Sequence, residues 1–434
     1  MDTNSFGKIL DLLKPTRLRP STRGEQNILI ESESDKARVI NHAAFRRLLG
    51  KAQVFPLDTN AAVRTRLTHS IEVSQIGRYI AQKIIEKHDV NSLHYKQLAA
   101  FVTTIETACL LHDIGNPPFG HFGEDAIQKW FLKETPKIAD LLEFDGNPQG
   151  FRLISFLGGA DEYGLNLTCS QLLSTIKYPW THAGKPDPKD KIGLFTSDVA
   201  YYKRACDELN WPPGKKFPFL RLMEAADNIA YAMSDLEDGI EKKIVSIEDL
   251  KKEFGENRFL SEKIDPFVKF KTDVIVEAVE LAAKTFTNKL DNIIAGEDIE
   301  LVDKTSDIGD LLKKVKHFAR AKIYRNEAAE RIELAGRSVI VGLLNHFKEL
   351  LDLEEAEFMA LVDNNINVIK DNKLGYHARL LRRLPISYIE KYRCGSRGGC
   401  EIFKRAHLVV DFISGMTDEF ALETYQVLEG IRIR

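Results

Sequence analysis

An apolar run, Ala108-Cys109-Leu110-Leu111, leads straight into the adjacent pair His112-Asp113, and the chain then breaks at Gly115 and Pro117-Pro118. A second histidine, His121, follows, with Glu124 three residues beyond it. Neighbouring residues on a helix point about 100° apart, so an adjacent His-Asp pair serves one site poorly in mid-helix. At a helix end the geometry is looser, and the Gly and Pro residues predict an end just past the pair. Both side chains can then lean toward one cation. Imidazole plus carboxylate suits Mn, Fe, Ni or Zn, and tolerates Mg when enough oxygen ligands complete the shell. The stretch thus asks for buried helices that end at a shared polar centre.

Apolar positions at helical spacing recur along most of the chain, and β candidates are short. Val39, Ile40, Ala43, Phe45, Leu48 and Leu49 predict a helix within 36–52, broken by Phe55-Pro56-Leu57-Asp58. Residues 68–87 predict a second, with Ile71, Val73, Ile76, Ile80, Ile84 and Ile85 as its stripe and His69 in its first turn. Residues 88–92 read as a turn and 94–113 as a long, increasingly apolar helix. A fourth helix, 123–134, buries Ala126, Ile127, Trp130 and Phe131. Further helices are expected at 150–157, 165–176, 197–209 and 220–237. Residues 246–350 are charged and helix-prone, with a long helix within 312–351. The expected fold is all-α: an arm with one short helix near Gly7 to Leu13 (1–35), a helical core (36–245), and a helical extension with a C-terminal region (246–434).

Composition narrows the function classes. A net charge of −3 announces no basic field of the kind nucleic-acid proteins carry. No apolar run approaches the roughly 20 residues needed to cross a bilayer. The first residues lack the apolar core of a signal peptide, so the expected location is cytoplasmic, with no membrane partner. Cysteines at 109, 169, 206, 394 and 400 are an odd, scattered set, which argues against a disulfide framework. The loop from Cys394 to Cys400 reads as basic and flexible.

His69, His112, Asp113 and Asp227 each adjoin an apolar helical run, so a bundle core can gather them. Together they would hold one ion and leave positions open for water and phosphate oxygens. Taken singly, each is more often an ordinary core or capping residue. Glu124 can fix the tautomer of His121 and raise its basicity; the pair can equally be a helix cap. Arg64 and Arg66 flank Thr65 just before His69, and guanidinium forks bind phosphate bidentately. Tyr231 and Asp235 follow Asp227 by four and eight residues, which places all three near one helical face. That face would line a pocket wall running outward from the metal, with plain core packing of Tyr231 as the alternative. A buried carboxylate at Asp235 needs a donor from protein or ligand.

Three blocks carry a family resemblance. The first runs from Arg38-Val39-Ile40-Asn41-His42 through Lys51-Ala52-Gln53-Val54 to Arg64-Thr65-Arg66-Leu67-Thr68-His69-Ser70. The second is the His112 stretch, and the third is Leu222-Met223-Glu224-Ala225-Ala226-Asp227-Asn228-Ile229-Ala230-Tyr231. In this order they resemble the H…HD…D pattern of HD-domain metal phosphohydrolases, and within these the deoxyguanosine triphosphate triphosphohydrolases (dGTPases). A weaker echo lies at 411–418. The resemblance implies a divalent ion, Mn2+ or Mg2+ or another transition metal as purified, on His69, His112, Asp113 and Asp227. It implies water attack at the α-phosphate of dGTP, giving deoxyguanosine and triphosphate, with His121 as acid oriented by Glu124. Arg66, Lys177, Tyr178 and Lys191 would hold the triphosphate, Tyr231 would pack on the sugar, and Gln53 and Asp235 would bind the 3′-hydroxyl. Guanine contacts would come from 340–420, where Arg382, Arg383, Arg393 and Arg397 are candidates. Relatives assemble as hexamers, or as tetramers when nucleotide-activated, and can bind single-stranded DNA. Three other readings follow: a broad dNTP triphosphohydrolase switched on by another dNTP, a nucleotidase acting on monophosphates, and a single-stranded-DNA-binding protein using the basic residues, Tyr392 and Phe403 between 379 and 404.

Overall fold

The computed structural model describes residues 3–24, 26–57, 60–88, 94–135, 137–189, 191–261, 264–395 and 397–431. Among them there is no β-strand, only the isolated bridges Arg17–Thr168 and Ala52–Thr65, so the all-α expectation holds. The helices that matter here are, in chain order, α1 (Ile28–Asn41), α2 (Arg66–Glu86), α3 (Tyr95–Leu111), α4 (Gly120–Glu134), α5 (Gly146–Arg152), α6 (Pro218–Glu241), α7 (Pro266–Asn288), α8 (Asp307–Lys322), α9 (Glu327–Leu351), α10 (Ile386–Cys394) and α11 (Glu401–Ser414). No described helix is long and apolar enough to cross a membrane. The chain forms two compact units, each assembled from separate stretches. The first comprises Met1–Asp113, Leu167–Pro179 and Lys203–Ile332; the second comprises Ile114–Asn166, Trp180–Tyr202 and Glu333–Arg434.

In the first unit α2 begins at a capping box. Thr65 accepts from the Thr68 N–H, and the Thr68 hydroxyl accepts from the Thr65 N–H. Val73, Ile76, Ile80 and Ile84 form its buried stripe, while Ile71, expected in that stripe, is 52 % exposed. α3 is buried on every side from Ala100 to Leu111 and packs against α1, α2 and α6. α2 also packs against α6 and α7. Gly77 makes the closest approach: a Cβ there would lie 2.5 Å from Cys109 Sγ on α3 and 3.7 Å from Ala226 Cβ on α6.

Several local expectations fail for identifiable reasons. The N-terminal stretch contains α1 as well as a helix at Thr3–Leu10. The buried face of α1 is polar and so invisible to hydrophobic periodicity. Glu31 and Asp35 are buried with Arg17, which donates to them at 2.8 and 2.6 Å, and Asp35 also accepts from the Thr168 N–H. The helix expected across 36–52 breaks at His42, whose Nδ1 caps a new short helix by accepting from the Ala44 N–H. α5 starts at Gly146, four residues early, and runs into a π-helix at Leu153–Leu157. The helix expected at 165–176 shrinks to Cys169–Leu173. The long helix expected within 312–351 is present as α9, and a break at 323–326 separates it from α8. Residues 89–92 of the expected 88–92 turn, together with Asp58 and Ser396 of the expected loops, lie outside the described residues.

The second unit packs around Trp130, Phe131, Phe144, Phe347, Phe358 and Phe412. α4 buries the expected Ala126, Ile127, Trp130 and Phe131. It starts at Gly120, after Phe119 has turned to φ 61° with its N–H held by Asp418 at 2.9 Å.

At an exposed helical site Gly→Ala would stabilise by roughly 1 kcal/mol. At Gly77 the added methyl meets Cys109, so Gly77→Ala is expected to destabilise by roughly 1–3 kcal/mol, as overpacked cores do. A lower urea midpoint at unchanged slope is the predicted reading; a raised midpoint would show that the interface yields freely.

Candidate metal centre

Two helix ends and the middle of a third helix meet at the site. His69 stands in the first turn of α2, His112 caps the C-terminus of α3, and Asp227 lies within α6. Ligand atoms of His69, His112 and Asp227 all fall within 4.8 Å of one another. Asp227 Oδ1 is 3.4 Å from His69 Nε2 and 3.6 Å from His112 Nε2. These distances are long for hydrogen bonds. They approach the roughly 3–3.5 Å between donors that each sit about 2.1 Å from one ion.

The hydrogen bonding fits such an ion. His112 Nδ1 lies 2.7 Å from the Cys109 carbonyl, which can only accept, so Nδ1 carries the proton and the Nε2 lone pair faces the site. His112 Nε2 and both ring nitrogens of fully buried His69 have no hydrogen-bond partner. Burial alone would raise the Asp227 carboxyl, but His112, His69 and Lys177 outweigh it and hold the group well below the usual carboxylate range. Asp113 behaves alike: burial raises it, and His112, Arg66 and His69 lower it further. Burial lowers His69, but Asp227 and Asp113 raise it past its ordinary value. Two ionised carboxylates beside imidazole nitrogens that make no hydrogen bond form a candidate cation site.

Asp113 stands at the edge of this group. Its Oδ1 is 3.6 Å from His112 Nε2, and its Oδ2 accepts from Arg66 at 2.6 Å. Arg66 is buried, with Nε lacking a partner. Arg64 is committed elsewhere, to Glu72, Glu237 and Asp238. Lys177 Nζ is 3.9 Å from Asp227. The Lys216 ammonium lies 5.9 Å from the ring centre of Tyr178.

Tyr231 and Asp235 continue along α6. The Tyr231 ring is 6.5 Å from that of His69. Asp235 is fully buried; Oδ2 accepts from the Tyr324 hydroxyl, and Oδ1 has no partner. Tyr324 also hydrogen-bonds the Tyr231 hydroxyl. Burial pushes the Asp235 carboxyl up to about 7 against the pull of the Tyr324 bond. Gln53 Oε1 is likewise buried without a partner.

Sequence reasoning missed Tyr324 and Lys316. Lys316 donates to Asn228 Oδ1 at 2.8 Å and lies 6.0 Å from the Tyr231 ring centre. A signal was present: Lys316, Arg320 and Tyr324 repeat on α8 and just past it the four-residue spacing of Asp227, Tyr231 and Asp235 on α6, which packs against it.

His121, Glu124 and Lys191 belong to the second unit. His121 Nδ1 is 2.6 Å from Glu124 Oε2, and the buried Glu124 is anchored by the Gly146 N–H at 2.8 Å. The His121 side chain is 76 % exposed. Lys191 pairs with Asp145 at 2.8 Å. Of the residues offered for a stacking groove, Tyr392 donates its hydroxyl to Glu401, and Phe403 packs 4.5 Å from the His407 ring.

Comparison with known proteins agrees with this geometry. The HD domain matches residues 66–155, and a phosphohydrolase-associated domain matches residues 377–427. The deoxyguanosinetriphosphate triphosphohydrolase of Enterobacter sp. (strain 638) is 34 % identical, over 94 % of this chain and 96 % of its own length. That of Klebsiella pneumoniae (strain 342) is 33 % identical, over 96 % of this chain and 97 % of its own. With an HD domain over the stretch that carries His69 and His112 and likeness along nearly its whole length, the chain belongs to the deoxyguanosinetriphosphate triphosphohydrolase family of HD-domain, metal-dependent phosphohydrolases.

Proposed function

We propose that this chain hydrolyses dGTP to deoxyguanosine and triphosphate, with water attacking the α-phosphorus. The observation that carries the reading is the convergence of His69, His112 and Asp227 with ring nitrogens left unpartnered, in a chain of this family. His69, His112, Asp113 and Asp227 are the proposed ligands of a divalent cation, Mn2+ or Mg2+. Such an ion, when bound, supplies Lewis-acid charge at a phosphate oxygen and lowers the pKa of water.

The chain's own side chains account for the rest. Arg66, steered by Asp113, and Lys177, beside Asp227, offset charge on the transferred group. Lys316, fixed by Asn228, adds a third cation. Tyr178 and Lys191 complete the proposed phosphate set, the latter by exchanging its partner Asp145. Tyr231 packs against the deoxyribose and leaves little room for a 2′-hydroxyl. The unpartnered acceptors Asp235 Oδ1 and Gln53 Oε1 support binding of the 3′-hydroxyl. His121 gives a proton to the departing 5′-oxygen. Glu124, anchored by Gly146, holds its Nδ1–H, so that Nε2 does the transfer. We also propose a homo-oligomer, a hexamer with a tetramer as the alternative.

Chromatography of the products tests the reaction. Each dNTP is supplied alone and in mixtures, with Mn2+ or Mg2+. Equimolar deoxyguanosine and triphosphate are expected from dGTP alone. Inorganic phosphate, or turnover confined to mixtures, would sink the reading as stated. His112→Ala is expected to lose both bound ion and turnover. His121→Ala should keep the ion and lose roughly 10²–10⁴-fold in kcat.

A pH series tests Asp235. Its carboxyl is raised from an ordinary 3.8 to about 7, so the folded state binds the proton more tightly than the unfolded one. The stability this group contributes is therefore complete below about pH 4 and is lost as pH rises toward 7. The ionised form is the stronger acceptor, so KM for dGTP is expected to fall as pH rises through about 7. Asp235→Asn should raise KM and flatten that limb; an unchanged limb would remove Asp235 from the sugar site. Native mass spectrometry reads the oligomer, and a monomer at micromolar concentration would refute the assembly.

A further inference from the structure

The second unit holds a charged cavity that the reaction above does not use. Arg152, Lys391, Arg397, Lys404 and His407 line it, and Asp411 is the one carboxylate among the described lining residues. Three of the cations gather on a single ring: Arg152, Lys391 and Arg397 lie 5.2, 5.1 and 4.9 Å from the ring centre of Phe156. Asp411 neutralises Arg152 through hydrogen bonds of 2.9 to 3.1 Å. Asp198, outside the lining, faces Arg397 at 3.1 Å. Lys391 instead donates to the carbonyl oxygens of Phe156 and Asp161. Within the lining one carboxylate stands against four cations, and Asp198, Asp161 and Glu162 add negative charge from outside it. Burial first, then the neighbouring Arg397, lowers the Lys391 ammonium.

Buried polar atoms face this charge without partners. His407 is 1 % exposed and neither ring nitrogen makes a hydrogen bond, the Asp140 carboxylate lying 4.0 Å from Nε2. Burial, with Arg152 nearby, keeps the His407 imidazole neutral, so one nitrogen carries an N–H that can donate. Unpaired buried donors are costly, and a ligand that accepts from them removes the penalty. The cavity measures about 30 Å³, room for roughly two water-sized groups. A compact oxyanion offers acceptors that match these donors. We propose that this cavity binds the phosphoryl group of a phosphate-bearing anion, with Lys391, Arg397, Lys404 and His407 as its donors.

The test uses the full chain, stripped of metal with EDTA and dialysed against radiolabelled inorganic phosphate at matched ionic strength. One saturable site is expected. Lys391→Met and Lys404→Ala are each expected to weaken it by roughly tenfold or more, whereas His112→Ala leaves it in place. Lys391 is buried, so a circular-dichroism melt accompanies each variant, and the half-buried Lys404 provides the one that keeps its fold. Displacement by tripolyphosphate alone identifies a free polyphosphate. Displacement by a nucleoside monophosphate as well identifies a nucleotide's phosphate. Absence of saturable binding, survival in both lysine variants, or loss in His112→Ala would each overturn the proposal.

Discussion

The close approach of α2, α3 and α6 around Gly77, Cys109 and Ala226 is the constraint on which the candidate metal centre depends. Each helix carries its ligand a short distance from that contact: His69 two turns before Gly77, His112 one turn after Cys109, Asp227 next to Ala226. The ligand atoms are 3.4 and 3.6 Å apart, so a shift of even one ångström between helix axes is a large fraction of the site. Close-packed interiors transmit such shifts rather than absorb them. The small residues thus set the dimensions of the chemistry, and the Cys109 carbonyl also holds the His112 ring.

Within this geometry one helix drives two carboxyls in opposite directions. Asp227 and Asp235 are both on α6, eight residues apart. Asp227 faces His112, His69 and Lys177 and stays ionised. Asp235 is buried with the phenols of Tyr324 and Tyr231 and is held near neutrality. Burial penalises charge at both, and the neighbours decide the outcome. Carboxyls whose surroundings push their proton affinities apart are a recurrent mark of divided roles. Here the division follows the helix axis, from a cation site to a polar, uncharged wall.

The ligand-bearing helices were legible because each couples an apolar stripe to a polar end. Taken singly, His69, His112 and Asp227 read as ordinary core or capping residues, and His121 with Glu124 as a helix cap; the resemblance to the H…HD…D pattern singled them out. What escaped lacked hydrophobic contrast. α1 hides its buried side behind Glu31, Ser32 and Asp35, which only the distant Arg17 explains. The break between α8 and α9 has neither Pro nor Gly to announce it, yet it carries Tyr324 to Asp235. Lys316 sits in a stretch so rich in charge that no single lysine stands out. The His42 break was likewise unsignalled, because a histidine caps a helix only when its ring happens to turn toward the next N–H.

The scattered composition of the first unit has a temporal consequence. His69, His112 and Asp113 lie in its opening stretch, whereas Asp227 follows Asp113 by 114 residues, in its third. At roughly 10 residues per second of synthesis, that is on the order of ten seconds. During that interval the nascent chain holds two imidazoles and one carboxylate without the helix that closes the cluster. A complete ligand set, and any folding free energy drawn from an ion, becomes available only after the ribosome has delivered α6. With the proposed ligands, cation loading would be a late event in the life of this chain, gated by the order in which its segments emerge.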